Sequence, residues 1–470
     1  MPVARRIVEP LPNRACILFL LVLVWFVLWA PHVGAQDILA QHFDAAQNAL
    51  RAGDQDRASI EYKAFLLEAL HRVANARAHF GDLHEAAQTF EEALGFSGAD
   101  SGMRLDYASV QFDRNRTDEA RSETEKVVTS EPNNVRAQVL MGRICFEQND
   151  YDGARKHLET VNARVEFREV WRLLAITYLR LQQLDRAQAL LRKAKAQLPD
   201  TPTNRVAFAT AYYYGDYPDL AVEELKKVIA QDNAAPEAHY HLGLAYLGHN
   251  EEAGYTQAIP EFQAQLNLNP KDFSSRYMLG HIALEQRNFA KAEIELTRAA
   301  ALKPDDEGTQ LQLGGLYSTT HRIAQAESVL RKLIASRAGA PPDFAIVRAH
   351  YILGRLLQQD RKDEGATEIR VSEQLRKQLR MSAAAASENQ GHGARVISAQ
   401  EADERQTRAK VSPEEQQKAQ AFVGQLSPLI GEAYHNLGLI AARQKNSASA
   451  ADYGQRALAW DPSLAQGGKN

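Results

Sequence analysis

Three histidines lie within eleven positions of the stretch APEAHYHLGLAYLGHN, at His239, His241 and His249. Imidazoles clustered in this way are typical ligands of zinc and other transition metals. A metal-binding pair on a helix needs a spacing of three or four residues, whereas His239 and His241 are two apart and point to nearly opposite sides. His249 follows His241 by roughly 12 Å along a helix axis. The spacing argues against a metal site, and we predict none here.

No other part of the sequence contains a motif that is typical of a catalytic site. G-x-S-x-G, H-E-x-x-H, C-x-x-C, Walker A and dinucleotide-binding glycine motifs are all missing. The dipeptide His84-Glu85 continues as Ala-Ala-Gln, so it lacks the second histidine of a zinc protease. Cys145 falls where a small core residue is expected, and we interpret it as a buried, inert thiol. We predict a protein that is not an enzyme and that has no cofactor.

Composition narrows the class of protein further. The chain has 470 residues, of which 45% are hydrophobic and 24% are charged, so a folded protein is expected. Its formal net charge is −4, which argues against a nucleic-acid partner, because such proteins are normally basic. The two cysteines, Cys16 and Cys145, are too few for a disulfide framework.

The N-terminus has the features of an export signal. Three arginines precede the apolar run ACILFLLVLVWFVLWA at 15–30, and the small residues before Gln36 fit a peptidase site between Ala35 and Gln36. We predict that residues 1–35 form a cleaved signal peptide or, alternatively, an uncleaved anchor and the only contact with a membrane. Because the arginines stay inside, either form places the rest outside the cytoplasm, in the periplasm, in the medium or on the outer side of the cytoplasmic membrane.

Small residues recur in two columns along most of the chain. Members of a pair are usually twelve residues apart, and successive pairs are usually 33 or 34 apart, although Ala46 and Ala74 are separated by only 28. The first column is Ala46, Ala74, Ala108, Gly142, Ala175, Ala209, Gly243, Gly280, Gly314, Gly354 and Gly438. The second column is Ala58, Ala86, Ala120, Ala154, Ala187, Ala221, Ala258, Ala292, Ala326, Ala366 and Ala450.

Two antiparallel helices per unit explain this pattern, because only Gly or Ala lets two helix backbones approach closely where they cross. The units resemble the tetratricopeptide repeat family, above all LGLAY at 242–246 and MLGHIA at 278–283. The resemblance implies an all-α fold, a right-handed α-solenoid of about eleven antiparallel helix pairs. It also places His239 where this family often has an interior tryptophan.

The organisation that follows is a repeat array at 36–380, a flexible linker at 381–411 and a last segment at 412–463, with a tail at 464–470. A helix is predicted to begin at Ser412 and Pro413, and the last repeat to begin near Pro428. A single repeat cannot bury its own apolar face. It must therefore dock on the Gly354 repeat, on the helix before it or on another chain, and we expect docking on the Gly354 repeat.

In this family the first helices line a concave groove that binds partner proteins. By analogy with the family, the groove-facing positions lie three before, one after and four after the first small residue. Aromatic and arginine side chains of this kind are enriched at binding hot spots. The alternative is that several of them pack between repeats. The candidates are Phe112, Arg143, Phe146, Arg172, Leu179, Tyr213, Tyr240, Leu247, Tyr277 and His281.

Three functions remain. The first is a scaffold outside the cytoplasm that binds extended segments of unidentified proteins, in envelope assembly, export or cytochrome maturation. The second is a structural solenoid that assembles with itself, since the chain stops soon after Trp460 without an evident capping helix. The third, which we rank lowest, is an enzyme without a known motif. Some members of this family bind a partner's C-terminal carboxylate with a lysine and an asparagine one helical turn apart. The pair in this sequence that is most similar to such a carboxylate clamp is His71 and Asn75, which lacks the lysine.

Overall fold

The structure, a computed structural model, describes residues 33–96, 100–162, 168–248, 251–337, 343–358, 360–386 and 413–465. These residues form α-helices joined by short turns, and one 3₁₀ turn at Pro462–Ala465. The helices are α1 (Val33–Arg51), α2 (Gln55–His79), α3 (Leu83–Leu94), α4 (Ser101–Asp113), α5 (Thr117–Ser130), α6 (Val135–Glu147), α7 (Tyr151–Asn162), α8 (Arg168–Arg180), α9 (Leu184–Gln197), α10 (Pro202–Tyr214), α11 (Pro218–Gln231), α12 (Ala238–Leu247), α13 (Glu251–Leu268), α14 (Phe273–Glu285), α15 (Phe289–Leu302), α16 (Glu307–Thr319), α17 (Ile323–Ser336), α18 (Phe344–Leu357), α19 (Lys362–Ala386), α20 (Pro413–Arg443) and α21 (Ser447–Trp460).

The predicted fold class, an all-α solenoid of antiparallel helix pairs, is confirmed, and the described ranges contain no strand. The helices fall into two compact units. One unit contains α1 to α5 together with α20 and α21. The other contains α6 to α19, which pair consecutively as first and second helices of seven repeats.

The two columns of small residues mark the crossing points of these pairs. A Cβ atom added to Gly142 would lie 2.6 Å from Leu158, and one added to Gly280 would lie 2.7 Å from Leu296. The alanines of the second column are fully buried except for Ala366, which is exposed, and Ala450, which is half-buried. In the repeat of Ala366 the neighbouring Gly365 stands at the crossing, where an added Cβ would lie 2.8 Å from the carbonyl oxygen of Gly354. Close backbone approach therefore explains why most of these positions hold only Gly or Ala, as the sequence predicted, and Ala366 was assigned to the column wrongly.

A residue in the left-handed region of backbone space ends most first helices. It lies seven positions after the first small residue and is glycine only at Gly53 and Gly81. In the turn after α6, Asn149 has a φ of 59°, and the amide of Asp150 donates to the carbonyl oxygen of Cys145. This hydrogen bond is the 6→1 bond of a Schellman turn, which reverses the chain between the two helices.

The short step between Ala46 and Ala74 has a simple structural cause. Helix α2 runs without interruption from Gln55 to His79, so the second helix of the first repeat continues into the first helix of the second repeat. The turn that separates other repeats is missing here. Both Ala58 and Ala74 are fully buried in this one helix.

The last repeat packs differently from the prediction. Helix α20 is a single helix with Pro428 in its interior, where two separate helices were expected. Its buried face, including Ile430 and Tyr434, shares a core with Tyr62 and Phe65 of α2. The expected docking on the Gly354 repeat is therefore wrong, because the bare apolar face of α2 takes the last helix pair instead.

Side-chain hydrogen bonds join the last helix pair to the N-terminal helices. The side-chain amide of Asn436 donates to the Tyr62 hydroxyl at 3.0 Å, and that of Gln47 donates to Glu432 at 3.0 Å. The indole N–H of Trp460 donates to Glu92 at 3.1 Å, and the guanidinium of Arg77 stands 5.2 Å from the Trp460 ring. The sequence predicted that the repeats end uncapped near Trp460. In the structure Trp460 instead packs on helices of its own chain.

Several predictions fall on other parts of the chain. The apolar run at 15–30 lies outside the described residues, and the predicted cleavage bond between Ala35 and Gln36 falls in the first turn of α1. Residues 381–386 of the predicted linker are helical, since α19 ends at Ala386, and the rest of the linker lies outside the described residues. Among the helices that the structure describes, none is both long and apolar enough to cross a membrane.

Candidate interaction surface

His239 and His241 contact different side chains and share no partner within the described ranges. Nδ1 of His239 lies 2.6 Å from Glu261 Oε2, and its Nε2 lies 3.2 Å from Asn233 Oδ1. His241 is also buried and faces Glu237 at 3.7 Å. His249 lies outside the described residues. Over the residues that the structure describes, no three His, Cys, Asp or Glu side chains converge in a way that could hold a metal ion.

The contact between His239 and Glu261 recurs through the fold. A polar residue four positions before the first small residue meets a polar residue two or three positions after the second. This interhelix clamp joins the two helices of a repeat about one helical turn from their small residues. The clamps are His42–Glu61 at 2.7 Å, Arg104–Glu123 at 2.9 Å, Gln138–His157 at 2.6 Å, His239–Glu261 at 2.6 Å, Arg276–Glu295 at 3.0 Å and His350–Glu368 at 2.6 Å.

The sequence analysis missed the interhelix clamp, although its signal is present. Glutamate follows the second small residue at a fixed distance in Glu61, Glu123, Glu261 and Glu295. The clamps hold repeats together and leave their histidines occupied, so they do not offer ligands or a general base to a substrate.

The side chains of His71 and Asn75, the pair most similar to a carboxylate clamp, already have a hydrogen-bond partner within the chain. Both side chains meet Oδ2 of Asp106, at 2.6 Å from His71 and 3.2 Å from Asn75. An internal carboxylate therefore fills the place of a ligand carboxylate. Cys145 is fully buried, in agreement with a structural role.

Burial divides the ten predicted groove residues into two classes. Phe112, Phe146 and Leu179 are 2%, 5% and 1% exposed, which removes them from the candidate surface. All three lie four positions after the first small residue, a position that is half-buried in the repeats of Tyr213 and Leu247. Leu179 packs against Gly215 of the next repeat, where an added Cβ would lie 2.4 Å from the leucine. The hypothesis of packing between repeats is therefore correct for Leu179, while Phe146 packs 5.4 Å from the ring of Tyr151 in its own repeat.

The remaining candidates reach the surface. Arg143 is exposed, and the others are half-buried. All are in the unit formed by α6 to α19, on its first helices, and we call this the first-helix face. Its members are Arg143, Arg172, Tyr213, Tyr240, Leu247, Tyr277 and His281.

Tyrosines are the largest side chains on the first-helix face. Tyr240 of α12 packs 5.3 Å from the His241 ring and 5.9 Å from the Phe262 ring, and Tyr277 of α14 stacks on Phe273 at 6.1 Å. Rigid aromatic side chains lose little entropy on binding, and each adds a polar hydroxyl to an apolar body. Arg172 lies 5.3 Å over the ring of Tyr214, which brings a cation into the same region.

Burial sets the protonation state of these tyrosines. It raises the pKa of Tyr240 well above the usual value, and the neighbouring Tyr214, Tyr213 and Asp272 add to this effect. Burial also raises the pKa of Tyr277, with Asp306 acting in the same direction. Both hydroxyls stay neutral at physiological pH and can donate hydrogen bonds, so they suit recognition of a polypeptide more than proton transfer.

Comparison with known proteins identifies the repeats. Models of the tetratricopeptide repeat match residues 78–144 and 124–175, and residues 251–307 and 417–465. Protein CTR9 homolog of Arabidopsis thaliana is 24% identical over 308 residues, covering 61% of this chain and 28% of that protein. Superkiller complex protein 3 of Mus musculus is 22% identical over 292 residues, covering 53% of this chain and 19% of that protein. The chain thus spans less than a third of the length of these curated relatives.

Solved structures of two proteins resemble parts of the chain. A crystal structure of MamA is 20% identical with a TM-score of 0.33, covering 37% of this chain and 96% of that one. A structure of PilF from Pseudomonas aeruginosa is 21% identical with a TM-score of 0.35, covering 43% of this chain and 88% of that one. From the ranges that the family models match, we conclude that this chain carries tetratricopeptide repeats, whose general role is to bind other proteins.

Proposed function

We propose that this protein is a non-enzymatic scaffold that works outside the cytoplasm and binds extended segments of partner proteins on its first-helix face. The observation that carries the proposal is the set of half-buried tyrosines with neighbouring arginines on consecutive first helices, at Tyr213, Tyr240 and Tyr277. Side chains of this type anchor partners at the centres of protein interfaces.

The location outside the cytoplasm is supported by the sequence, through the arginines and the apolar run at 15–30. Envelope assembly, export and cytochrome maturation are the processes that this location would suit. The experiment for this part of the proposal is protease digestion of intact cells after the outer layer has been made permeable. Protection of the chain until the cytoplasmic membrane is broken would contradict it.

The interaction itself is tested by photocrosslinking in cells. A photoreactive amino acid is placed at His281 of α14, on the first-helix face, and at Ile294 of α15, which is 50% exposed on the second helix of the same repeat. We expect a discrete partner at position 281, loss of that partner when Tyr240 and Tyr277 are changed to alanine, and none at position 294. Equal capture at both positions would contradict a role for the first-helix face.

Self-assembly remains the second candidate function, and the exposed side chains Phe344 and Tyr351 favour it. A molar mass measured by light scattering at several concentrations distinguishes the two functions. A concentration-independent monomer supports the scaffold, and a growing mass supports assembly.

A further inference from the structure

Helix α18 exposes one face over its whole length. Phe344 is 64% exposed and Tyr351 is 51% exposed, and Arg348 and Arg355 are exposed between and after them. These positions follow one another at helical spacing, so the four side chains form a single stripe. The opposite face, which includes Leu353, packs into the core with Leu330 and Leu333. Exposed aromatics interleaved with arginines are typical of an interaction site.

The two arginines of this stripe have no described carboxylate beside them that balances their charge. Over the described residues, neither Arg348 nor Arg355 has a carboxylate within ion-pair distance. Many arginines of the two preceding repeats and of the turns beside α18 are paired with glutamate or aspartate, whereas Arg370, Arg376 and Arg380 of α19 have no such partner among the described residues. The neutralised pairs include Arg276–Glu295, Arg322–Glu293, Arg331–Glu327, Arg337–Asp343 and Arg361–Glu327. The stripe on α18 therefore carries uncompensated positive charge.

The neighbouring helix α16 has a strip in which two glycines flank Leu311 and Gln312. Gly308 and Gly315 are seven residues apart in α16 and so share one face. A Cβ atom added to Gly315 would meet nothing within 4 Å, whereas one added to Gly308 would lie 3.2 Å from the Tyr277 hydroxyl. An open glycine inside a helix costs about 1 kcal/mol relative to alanine. No packing contact accounts for Gly315, and a ligand backbone that approaches closely would account for it.

Three helices meet at this strip. Helix α16 packs beside both α14 and α18. Arg348 of α18 is close enough to Tyr277 of α14 to act on its hydroxyl electrostatically. Tyr277 and Phe273 thus form one wall and Arg348 and Tyr351 form the other. The floor is the strip of α16, which is lowest at Gly315 and carries the half-buried Leu311 and Gln312 beside it. We call this arrangement the glycine trough.

We propose that the glycine trough binds an extended, acidic segment of a partner protein. This inference rests on the proposed scaffold function and names the chemistry of the partner at one end of the first-helix face. Aspartate or glutamate side chains of the segment accept paired hydrogen bonds from Arg348 and Arg355, which suit carboxylates through their planar donors. Its backbone lies against Gly315, and its apolar side chains pack on Tyr277, Tyr351 and Phe344.

A nucleic acid fits this trough less well. Asp272, Asp306 and Asp343 cap the N-termini of α14, α16 and α18 at one end of the trough. A continuous phosphate backbone along the three helices would run into these carboxylates, whereas a peptide can place neutral residues there. The segment is therefore expected to place its acidic residues beside Arg348 and Arg355 and neutral residues beside the capping aspartates.

The test uses the full chain and a phage library that displays random twelve-residue peptides. The wild type, R348E/R355E and R376E/R380E are panned in parallel. Arg376 and Arg380 are exposed on α19 with the same spacing of four, so the last variant makes the same change in net charge beside the trough. We expect the wild type and R376E/R380E to enrich peptides rich in Asp and Glu, and R348E/R355E to lose this preference.

The peptide that is enriched most strongly is then synthesised with a fluorescent label, and its affinity is measured by anisotropy. We expect R348E/R355E to weaken binding by about ten-fold or more, corresponding to about 1.4 kcal/mol, while R376E/R380E binds within about two-fold of the wild type. G315W should block binding without loss of helical content, because the space above Gly315 is open. If charge reversal unfolds α18, R348Q/R355Q replaces it.

Each outcome has one meaning. Acidic enrichment that survives R348E/R355E overturns the glycine trough, as does enrichment without an acidic preference, and both leave the scaffold function intact. No enrichment by the wild type overturns the scaffold function itself. A dimer of the wild type that R348E/R355E dissociates would identify a second copy as the occupant, and competition by single-stranded RNA at low micromolar concentration would identify nucleic acid. Both of these results overturn the proposal.

Discussion

Gly314 and Gly315 are neighbours in α16, yet their surroundings are opposite. A Cβ atom added to Gly314 would lie 2.6 Å from Leu330, whereas one added to Gly315 would meet nothing within 4 Å. The first glycine is required by the close crossing of α16 and α17, and the second is not required by any packing contact.

The two glycines should therefore respond in opposite directions to the same substitution. Gly314→Ala pushes against a fully buried leucine and should lower the free energy of unfolding by about 1–3 kcal/mol. Gly315→Ala should raise it by about 0.5–1 kcal/mol, because alanine is the better helix former. Urea unfolding followed by circular dichroism measures both changes. Destabilisation by Gly315→Ala would show that the space above this glycine is occupied in the folded protein.

The core between α20 and α2 predicts a long-range effect on the N-terminal helices. Ile430 is fully buried in that core, and its neighbour Leu429 is 37% exposed. Ile430→Ala should cost about 2–5 kcal/mol and should speed amide hydrogen exchange throughout α2, although more than 350 residues separate these positions in the sequence.

Two controls accompany that measurement. Leu429→Ala should change the free energy of unfolding by about 0.5 kcal/mol or less. Exchange in α14, which is in the other unit, should stay unchanged in both variants. Normal protection of α2 in Ile430→Ala would mean that α2 is stable without the last repeat.

The interhelix clamp between Arg276 and Glu295 should contribute measurably, because both side chains are largely withdrawn from water, at 15% and 12% exposure. Glu295→Gln removes the charge that Arg276 faces and should cost about 1–3 kcal/mol. The double variant R276M/E295M should recover most of the loss, since an apolar pair avoids the cost of burying charge. Glu414→Gln breaks the exposed pair with Lys418 and should cost less than about 0.5 kcal/mol. A larger loss in the double variant than in Glu295→Gln would contradict this account of the clamp.

Two tyrosines outside the candidate surface predict alkaline behaviour. Burial raises the pKa of Tyr178 to about 12, and the carboxylate of Glu159, to which its hydroxyl donates at 2.8 Å, adds to the increase. Burial likewise raises the pKa of Tyr107 to about 12, with Glu91 as the second cause. Because the folded pKa lies above the usual value near 10, these groups stabilise the fold fully below pH 10.

That stabilisation should be lost as the pH rises from about 10 to about 12. A spectroscopic titration at 295 nm should show fewer ionised tyrosines in the native protein at pH 11 than in the urea-unfolded protein. Tyr178→Phe should reduce this difference by about one tyrosine. Identical titration curves for the native and unfolded chains would contradict the assignment.

The repeats could be predicted from the sequence because each depends on local geometry. Gly142, Gly280 and the alanines of the second column report helix crossings that lie within one repeat, so a fixed spacing reveals them. The docking of α20 on α2 could not be predicted in this way. It depends on an apolar face that becomes available only because α2 omits a turn, and the spacing of small residues does not show which distant segment will cover that face.

The candidate surface was predicted only in part, for a related reason. Tyr240 and Phe146 are both large aromatics on first helices, and sequence type does not separate them. The structure does, since Phe146 is buried and Tyr240 is half-buried. The interhelix clamps were missed because a polar contact such as His239–Glu261 involves one position on each helix of a repeat. Either position alone resembles an ordinary polar surface residue, and the contact is apparent only when both are compared across the repeats.

The packing of α20 on α2 also bears on how the protein is made. About 330 residues separate the end of α2 from the start of α20. At a synthesis rate of about 5–20 residues per second, α2 leaves the ribosome roughly 20–70 s before its covering helix exists. During that interval α20 cannot yet pack on Tyr62, Phe65 and their apolar neighbours. We therefore expect a chaperone to bind the nascent N-terminal repeats until translation is complete.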